Sequence, residues 1–268
     1  MHLKRWITGI VAVPLIYLLV AAGGTLFFLL IAGVSVVTLA EYYRVVFNPA
    51  DDGPARLIPN LGLVLAPVIV WVAWNRGMAQ TPLVIAVDLI IVAGLTLPLF
   101  KNDREAPHMV AKQTLGLVYI PLFLSHLVVL RSEAQGAQWI FWLLCIVAAG
   151  DTGAFYTGRS MGRHKLCAWV SPKKTIEGSI GGLCANVIAA LALKMVLLPE
   201  LAVLPCVVFA LLIGIAGQIG DLFASEFKRA AGIKDSGKWL PGHGGFLDRL
   251  DALLFASPLA YLLKISIF

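Results

Sequence analysis

Four polar residues near the end of the chain have types and spacing that suit metal and phosphate chemistry. Asp221, Ser225 and Lys228 stand at positions i, i+4 and i+7, and Arg229 follows directly. In a helix the first three would lie on one face. A carboxylate, a hydroxyl and two cations on one surface could bind a metal ion together with anionic phosphate groups.

Two further carboxylates follow after a glycine-rich loop. Asp248 and Asp251 are at positions i and i+3, so they would share a face at the start of the last helix. The intervening loop, residues 232–245, reads GIKDSGKWLPGHGG, and its glycines allow the backbone to approach a ligand closely. Mg²⁺ typically uses one or two carboxylates plus substrate phosphates. We therefore expect the polar loop to bring Asp221 and Asp248 together at one site for Mg²⁺ and a polyphosphate.

The same loop resembles two other kinds of site without meeting their requirements. Residues 232–239 differ from the G-x-x-x-x-G-K-[ST] phosphate loop at the last position, where Trp239 replaces the hydroxyl residue, and no strand is predicted before them. His243 lacks the second His or Cys expected of a zinc site. We therefore interpret His243 as a loop residue that forms hydrogen bonds or contacts a phosphate.

A second polar segment, residues 151–182, begins at Asp151 and carries its own group of cations. Its stretch SPKKT precedes a helix predicted to start near Gly178, and helix starts with basic side chains bind phosphates well. Lys173 and Lys174 are therefore candidate phosphate contacts. The other basic residues of the segment are Arg159, Arg163, His164 and Lys165. A basic loop at a membrane surface explains the cations alone, but not the Ser, Thr, Glu and Gly residues among them.

The elements that must position these residues are membrane helices. The chain has 268 residues, of which 59% are hydrophobic and 13% charged, and a mean hydropathy of +0.87, which is too apolar for a soluble domain. About 20 apolar residues span the hydrocarbon. Residues 7–40 are uncharged and long enough for two spans broken at Gly23-Gly24; the other spans are predicted at 57–75, 82–100, 113–130, 138–157, 178–198, 201–222 and 251–268. We predict an all-α polytopic integral membrane protein with about nine transmembrane helices, forming a single catalytic domain over residues 1–268.

The basic residues predict how the chain is oriented. With nine spans, one set of loops carries 17 of the 21 lysines and arginines, and the other set carries Arg76, Arg131, Lys194 and Lys264. The positive-inside rule then places the N-terminus and both polar segments in the cytoplasm and the C-terminus outside. Because the net charge of +6 is concentrated on one face, it predicts contact with anionic lipids and phosphate ligands rather than with nucleic acid.

Aspartates within apolar runs need a specific reason. A carboxylate at the bilayer centre costs roughly 2.5–3.5 kcal/mol on insertion scales. Asp151 and Asp221 lie toward the predicted cytoplasmic ends of their helices, whereas Asp88 is near the middle of its span. For Asp88 a hydrogen-bonded or protonated interior carboxylate explains the sequence at least as well as a functional role. The Gly158/Gly162 and Gly178/Gly182 spacings allow close helix pairing, as in a homodimer.

Residues 225–251 resemble the signature of the phosphatidate cytidylyltransferases, also called CDP-diglyceride synthetases, over their whole length. They read SEFKRAAGIKDSGKWLPGHGGFLDRLD. The matching positions are Ser225, Lys228, Arg229, Lys234, Asp235, Pro241, His243, Gly244, Gly245, Asp248, Arg249 and Asp251. The upstream stretches GDTGAFYTGRSMGRHKL and SPKKTIEG are similar to other polar segments of that family, and chain length and number of spans agree with it.

This resemblance implies an activity and a site. The activity is transfer of a cytidylyl group from CTP to phosphatidate, giving CDP-diacylglycerol and pyrophosphate, with Mg²⁺, at the cytoplasmic face of a bacterial inner membrane. Asp221 and Asp248 are the expected metal ligands, Asp251 is a ligand or a supporting acid, and a second metal ion is compatible with this set. Ser225 is expected to offer its hydroxyl to the metal or a phosphate. The expected phosphate and substrate contacts are Lys228, Arg229, Arg249, Lys173, Lys174, Asp151, Lys234, His243, Gly244 and Gly245.

Two alternatives remain open at this point. A CTP-dependent polyprenol or phytol kinase would transfer the γ-phosphoryl group and release CDP, although the full signature favours the cytidylyltransferase. A transporter could use Asp88, Asp151 and Asp221 as an ion or proton relay. Against it, two of these acids avoid the bilayer centre and occur near loop cations.

Overall fold

The computed structural model describes residues 2–47, 54–101, 103–237, 239 and 244–268; for residues 2–9, 11 and 54 it describes the backbone alone. Lys238, Pro241 and His243 therefore lie outside the described residues. The helices are α1 (His2–Ala22), α2 (Gly24–Val46), α3 (Pro54–Arg76), α4 (Thr81–Leu99), α5 (Ala106–Leu117), α6 (Phe123–Ser132), α7 (Gly136–Met161), α8 (Ile176–Leu197), α9 (Val203–Ala230) and α10 (Leu247–Ile267). A short 3₁₀ turn, Met78–Gln80, precedes α4, and a π-helical segment, Val118–Leu122, joins α5 to α6.

Eight helical segments of the described chain are long and apolar enough to cross a membrane. They are Gly24–Val46, Ala55–Arg76, Met78–Leu99, Ala106–Ser132, Gly136–Met161, Ile176–Leu197, Val203–Ala230 and Leu247–Ile267. The first predicted span corresponds to α1. The part of α1 whose side chains are described without a gap, Ala12–Ala22, is apolar but shorter than a membrane span. The prediction of an all-α polytopic membrane protein is therefore confirmed.

Three local features go beyond the predicted membrane spans. Helix α9 continues past the predicted span 201–222 to Ala230, as the helical spacing of Asp221, Ser225 and Lys228 predicts, and the added residues include Ala, Glu, Lys and Arg, which are good helix formers. Helix α10 begins at Leu247, before the predicted span 251–268, which places Asp248 and Asp251 in its first turns as expected. Residues expected to form a loop between α7 and α8 instead form an antiparallel hairpin of β1 (Lys165–Cys167) and β2 (Ser171–Thr175).

The chain separates into two compact units. The first unit contains Met1–Val129 and Ala231–Arg249, and the second contains Leu130–Ala230 and Leu250–Phe268. In the first unit α2 packs against α3 and α5, and the hydroxyl of Tyr43 donates to the carbonyl of Gln113 at 3.2 Å. The glycine-rich loop belongs to this unit, so its contacts with α2 fix its described residues.

The second unit is built on a close contact between α7 and α8. A Cβ added at Gly178 would lie 2.8 Å from the Ala154 carbonyl oxygen and 3.1 Å from the Cα of Gly158, so only glycine permits this approach. The Gly158 and Gly178 positions that allowed a homodimer on sequence grounds are thus used within the chain. The homodimer remains a prediction without support from these two glycines.

Candidate functional site

A cavity of about 530 Å³ in the second unit contains several of the predicted site residues. Helices α7, α8 and α9 and strand β2 supply most of its wall. Its charged lining residues are Asp151, Arg159, Lys173, Lys174 and Asp221. Thr175, Ser179, Asn186 and Gln218 add neutral polar groups, while glycines at positions 150, 158, 178, 214 and 217 leave space between the helices. The cavity therefore offers both charges and volume to a polar ligand.

The contact between Asp221 and Lys174 joins the two polar segments recognised in the sequence. The Lys174 Nζ lies 2.6 Å from the Asp221 Oδ2, with side-chain exposures of 26% and 33%, respectively. One helical turn further along α9, the Ser225 hydroxyl donates to the Asp221 Oδ1 at 3.4 Å. The predicted shared face of Asp221 and Ser225 is thus present on a continuous helix. Its partner cation comes from β2 in the neighbouring hairpin.

A second acid at the start of α10 extends this charged group. The Asp251 carboxylate interacts electrostatically with Asp221 and Asp151, which repel it, and with Lys228, which attracts it. Lys228 is only 7% exposed, and the Ala252 N–H donates to the Asp251 Oδ1 at 2.8 Å. Two other carboxylates thus lie within electrostatic range of Asp251, and like charges at this range disfavour its ionised form unless a cation compensates them. Desolvation also makes the charge of Lys228 more effective toward an anion than it would be in water.

The hairpin that carries Lys173 and Lys174 is fixed at both of its ends. At its base, the Glu177 carboxylate accepts from the backbone N–H groups of Arg163 and His164, at 3.0 and 3.2 Å, and lies 2.6 Å from the His164 Nδ1. Near its turn, the Arg229 Nε donates to the Val170 carbonyl at 3.2 Å. The Glu177 side chain, conspicuous among the loop cations, thus has a clear structural function.

The start of α8 also contributes to the position of the hairpin. Thr175 is both the last residue of β2 and the N-cap of α8, and its hydroxyl accepts from the Gly178 N–H at 3.1 Å. This cap places Lys173 and Lys174 three and two residues before Ile176, the first residue of α8. The expected association of cations with a helix start is confirmed, although the helix begins two residues earlier than Gly178.

Asp248 belongs to the first unit and organises the glycine-rich loop there. Its Oδ2 accepts from the Ser236 N–H at 2.9 Å and the Gly245 N–H at 3.0 Å, and the Ser236 hydroxyl oxygen lies 3.1 Å away. Gly244 has φ of +82° and passes so close that an added Cβ would lie 3.0 Å from the same oxygen. The conformation thus explains glycine at position 244. Lys234 and Arg249 are exposed in this unit.

Glu41, which belongs to no sequence motif, contacts the same loop. Glu41 lies near the end of α2 and is 0% exposed. Its Oε2 accepts from the Ser236 hydroxyl at 3.1 Å and from the Leu247 N–H at 2.9 Å. The available signal was an acidic residue directly after the long uncharged stretch 7–40. The polar cavity residues Ser179, Asn186 and Gln218 were also missed, because single neutral polar residues in apolar helices form no motif.

The described residues contain no group of three or more His, Cys, Asp or Glu side chains arranged to hold a metal ion. Asp221, which lines the cavity, and Asp251, which lies within electrostatic range of it, nevertheless offer the hard carboxylate oxygens that Mg²⁺ prefers. Asp248 belongs to the first unit, whereas Asp221 and Asp251 belong to the second. The metal set of Asp221, Asp248 and Asp251 therefore stays a prediction.

Comparison with known proteins supplies an independent finding. A family model described as "Cytidylyltransferase family" matches residues 3–267. A Staphylococcus saprophyticus protein is 34% identical over 214 residues, which cover 78% of this chain and 80% of the relative. Proteins of Staphylococcus epidermidis and Staphylococcus aureus are each 32% identical over 266 residues, covering 98% of both chains. All three relatives are named phosphatidate cytidylyltransferase.

Proposed function

Because this chain belongs to the cytidylyltransferase family, we propose that it transfers the cytidylyl group of CTP to phosphatidate, releasing pyrophosphate and forming CDP-diacylglycerol. The names of the relatives support this substrate pair. The structural observation that carries the proposal is the cavity of the second unit, where the Asp221–Lys174 pair lies between membrane helices. A lipid phosphate and a nucleoside triphosphate both need such a site. Its cations can neutralise their negative charge, and its volume can accommodate their polar groups.

The chemistry requires few reactive side chains. A phosphate oxygen of phosphatidate attacks the α-phosphorus of CTP, the bond from that phosphorus to the β-phosphate oxygen breaks, and pyrophosphate leaves with its charge. Since the nucleophile belongs to the substrate, the residues position the two phosphates and stabilise charge. Lys228, Arg229 and Arg249 would hold phosphate groups, together with Lys173 and Lys174. Asp151, Lys234, His243, Gly244 and Gly245 complete the proposed substrate contacts.

Lys174 has a special position in this scheme. Its ammonium group is paired with Asp221, and both side chains are partly open to solvent. An arriving phosphate can replace Asp221 as the partner of Lys174, which leaves the Asp221 carboxylate available to a cation. The pair would thus keep two opposite charges neutralised until a phosphate and a metal ion bind together.

We further propose Mg²⁺ as the cofactor, with room for a second metal ion. Asp221, Asp248 and Asp251 would hold it, and the Ser225 hydroxyl, which donates to Asp221, would support that carboxylate or contact a phosphate. When bound, the ion supplies neutralisation of triphosphate charge as pyrophosphate departs. The chain itself contributes the oxygen ligands and the cations that flank them.

The assay that tests this function distinguishes two transfers from CTP. Purified protein in detergent micelles is incubated with phosphatidate, Mg²⁺ and CTP labelled at either the α- or the γ-phosphorus. We expect label from α-labelled CTP in the lipid and label from γ-labelled CTP in pyrophosphate. Label from the γ-position in a lipid, with release of CDP, would instead identify a lipid kinase. The Glu226→Gln variant is a suitable positive control, since Glu226 is exposed on α9.

For the location of the site, we propose the cytoplasmic face of the bacterial inner membrane. The 17-to-4 division of basic residues supports this orientation. Single cysteines in a variant lacking the four native ones, placed in loops 43–56, 102–112, 163–174 and 232–246, should be shielded from impermeant thiol reagents in intact cells. Labelling of the last two loops from outside would contradict both the orientation and the cytoplasmic site.

A further inference from the structure

Glu41 is a buried acid in a helix that crosses the membrane. It lies in α2, five residues before Val46, the last residue of that helix, and no part of it is exposed. A buried carboxylate is costly unless nearby donors stabilise it. Its donors, Ser236 and Leu247, are 195 and 206 residues away in sequence, so the contact joins α2 to that distant segment.

Two donors, one in the glycine-rich loop and one at the start of α10, converge on one oxygen of Glu41. The Oε2 accepts from the Ser236 hydroxyl at 3.1 Å and from the Leu247 N–H at 2.9 Å. Leu247 is the first residue of α10, where backbone N–H groups lack partners within the helix and favour a negative charge. Glu41 therefore bonds to both ends of the loop segment that runs from Ser236 to α10.

The glycines of the loop let it approach Glu41. A Cβ added at Gly237 would collide with the Oε1, and one added at Gly245 would collide with the Oε2. Neither glycine is among those with positive φ. Their small size, rather than their backbone freedom, is therefore what the contact requires. The two glycines form a socket for the carboxylate.

Ser236 connects Glu41 to Asp248. Its hydroxyl oxygen lies 3.1 Å from the Glu41 Oε2 and 3.1 Å from the Asp248 Oδ2, and its backbone N–H donates to the Asp248 oxygen as well. Because all three residues belong to the first unit, the contacts describe one continuous chain of interactions. The loop conformation that Glu41 holds is the one in which Ser236 and Gly245 bond to Asp248.

We propose that Glu41 is a positioning residue, which fixes the glycine-rich loop through Ser236 and Leu247 and thereby sets the orientation of the Asp248 carboxylate. The part of this proposal that concerns catalysis rests on the proposed function, in which Asp248 holds Mg²⁺. Glu41 itself touches neither the metal nor a substrate in this scheme. Its effect is transmitted by the hydroxyl and backbone groups of the loop.

The anchoring is tested first without any substrate or metal. Hydrogen–deuterium exchange of the full chain in detergent, without Mg²⁺ or nucleotide, reports on the amides of residues 231–249. Removing a hydrogen bond to a charged acceptor should accelerate exchange by about tenfold or more. We expect this acceleration for Glu41→Ala and a smaller one for Glu41→Gln, which keeps the shape and one acceptor. Asp88→Asn is the matched control, because Asp88 is also a buried acid of the first unit.

Unchanged exchange at residues 231–249 in Glu41→Ala would overturn the proposal. If that variant fails to fold, Glu41→Gln and Ser236→Ala provide the same comparison with a smaller perturbation. Exchange that rises equally in Asp88→Asn would also overturn it, since general loosening of the unit would then explain the result. None of these measurements requires catalytic activity, so a failure of the proposed function leaves them valid.

The positioning of Asp248 is tested by the Mg²⁺ requirement. Partners that orient metal ligands typically change metal affinity or activity by about 10-fold to 100-fold when they are replaced. We therefore expect Glu41→Gln and Ser236→Ala each to raise the Mg²⁺ concentration for half-maximal activity about tenfold, with the double variant little worse than either. A lower turnover with an unchanged Mg²⁺ requirement would overturn the positioning role and reduce Glu41 to structural support.

Discussion

The two units treat their polar-site carboxylates in opposite ways. In the second unit Asp221 is paired with Lys174, a long flexible cation, and both side chains are partly exposed beside the cavity. In the first unit Asp248 receives neutral donors from Ser236 and Gly245, and Glu41 behind them is fully buried. A charge pair at a cavity can be separated by an incoming ion, whereas donors built into a loop cannot be replaced without moving that loop. We infer that the second unit provides exchangeable charge and the first provides fixed geometry.

The largest effect that separates these two roles should come from the carboxylates themselves. Asp→Asn keeps the shape and removes the charge that Mg²⁺ requires. Asp221→Asn and Asp248→Asn should each lower CDP-diacylglycerol formation on the order of 100-fold, by analogy with the loss of one charge-stabilising group from an active site. Expression should stay near normal, and the double variant should be little worse than either single one, since residues that act as a unit are not additive.

The control for this pair is Glu226→Gln, an exposed acid on the same helix as Asp221. We expect it to keep wild-type activity and Mg²⁺ dependence. Near-normal activity and metal dependence in Asp248→Asn would contradict the proposed metal site and leave Asp248 with its observed role in the loop.

Substitution of the adjacent cations Lys228 and Arg229 should reduce turnover by a smaller factor than substitution of the carboxylates. Lys228 is buried and attracted to Asp251, while Arg229 is exposed and bonds to the Val170 carbonyl of the hairpin. Lys228→Ala should reduce turnover by about 10-fold to 100-fold, and Arg229→Ala by about tenfold, because a desolvated cation stabilises phosphate charge more strongly. Steady-state kinetics with purified, folded variants measure both effects. Unchanged turnover in both variants would assign these cations to membrane topology alone.

The sequence was sufficient to predict the helices and one face of the site, because both depend on local patterns. Apolar runs of span length predicted the membrane helices, and the spacing of Asp221 and Ser225 predicted their contact on α9. The Lys174–Asp221 pair joins two segments that were recognised separately, but the partner of each charge was not assigned. Proximity between distant segments is set by packing, and a single sequence carries no direct record of it.

Glu41 and the hairpin show what local patterns omit. Three-residue β1 and five-residue β2 have no clear alternation, and their position depends on contacts of Glu177 and Arg229 from flanking helices. Glu41 is a single acid near the end of an apolar helix, which topology alone would explain. Its contact with Ser236 joins residues 195 positions apart in sequence, and only the folded chain shows it.

A stability measurement can test whether the second unit depends on its close helix contact. Gly178→Ala would place a Cβ 2.8 Å from the Ala154 carbonyl oxygen, and overpacking of this kind typically costs about 1–3 kcal/mol. Gly94→Ala, on α4, is the matched control because nothing lies within 4 Å of its added Cβ. Thermal unfolding in detergent should therefore show a lower midpoint for Gly178→Ala and no loss for Gly94→Ala. Equal midpoints would contradict the α7–α8 contact.

The smallest expected effect concerns Asp88, a buried acid outside the proposed site. It is 1% exposed, and its Oδ1 accepts from the Gln113 Nε2 at 2.9 Å, which confirms the interpretation of a hydrogen-bonded interior side chain. Asn at this position retains an oxygen acceptor for Gln113 while removing a charge that is costly to bury. Asp88→Asn should therefore change stability by no more than about 1 kcal/mol and leave activity close to that of the wild type. A loss of activity as large as that of Asp221→Asn would place a second functional acid within the first unit, and the division between exchangeable and fixed carboxylates would then be wrong.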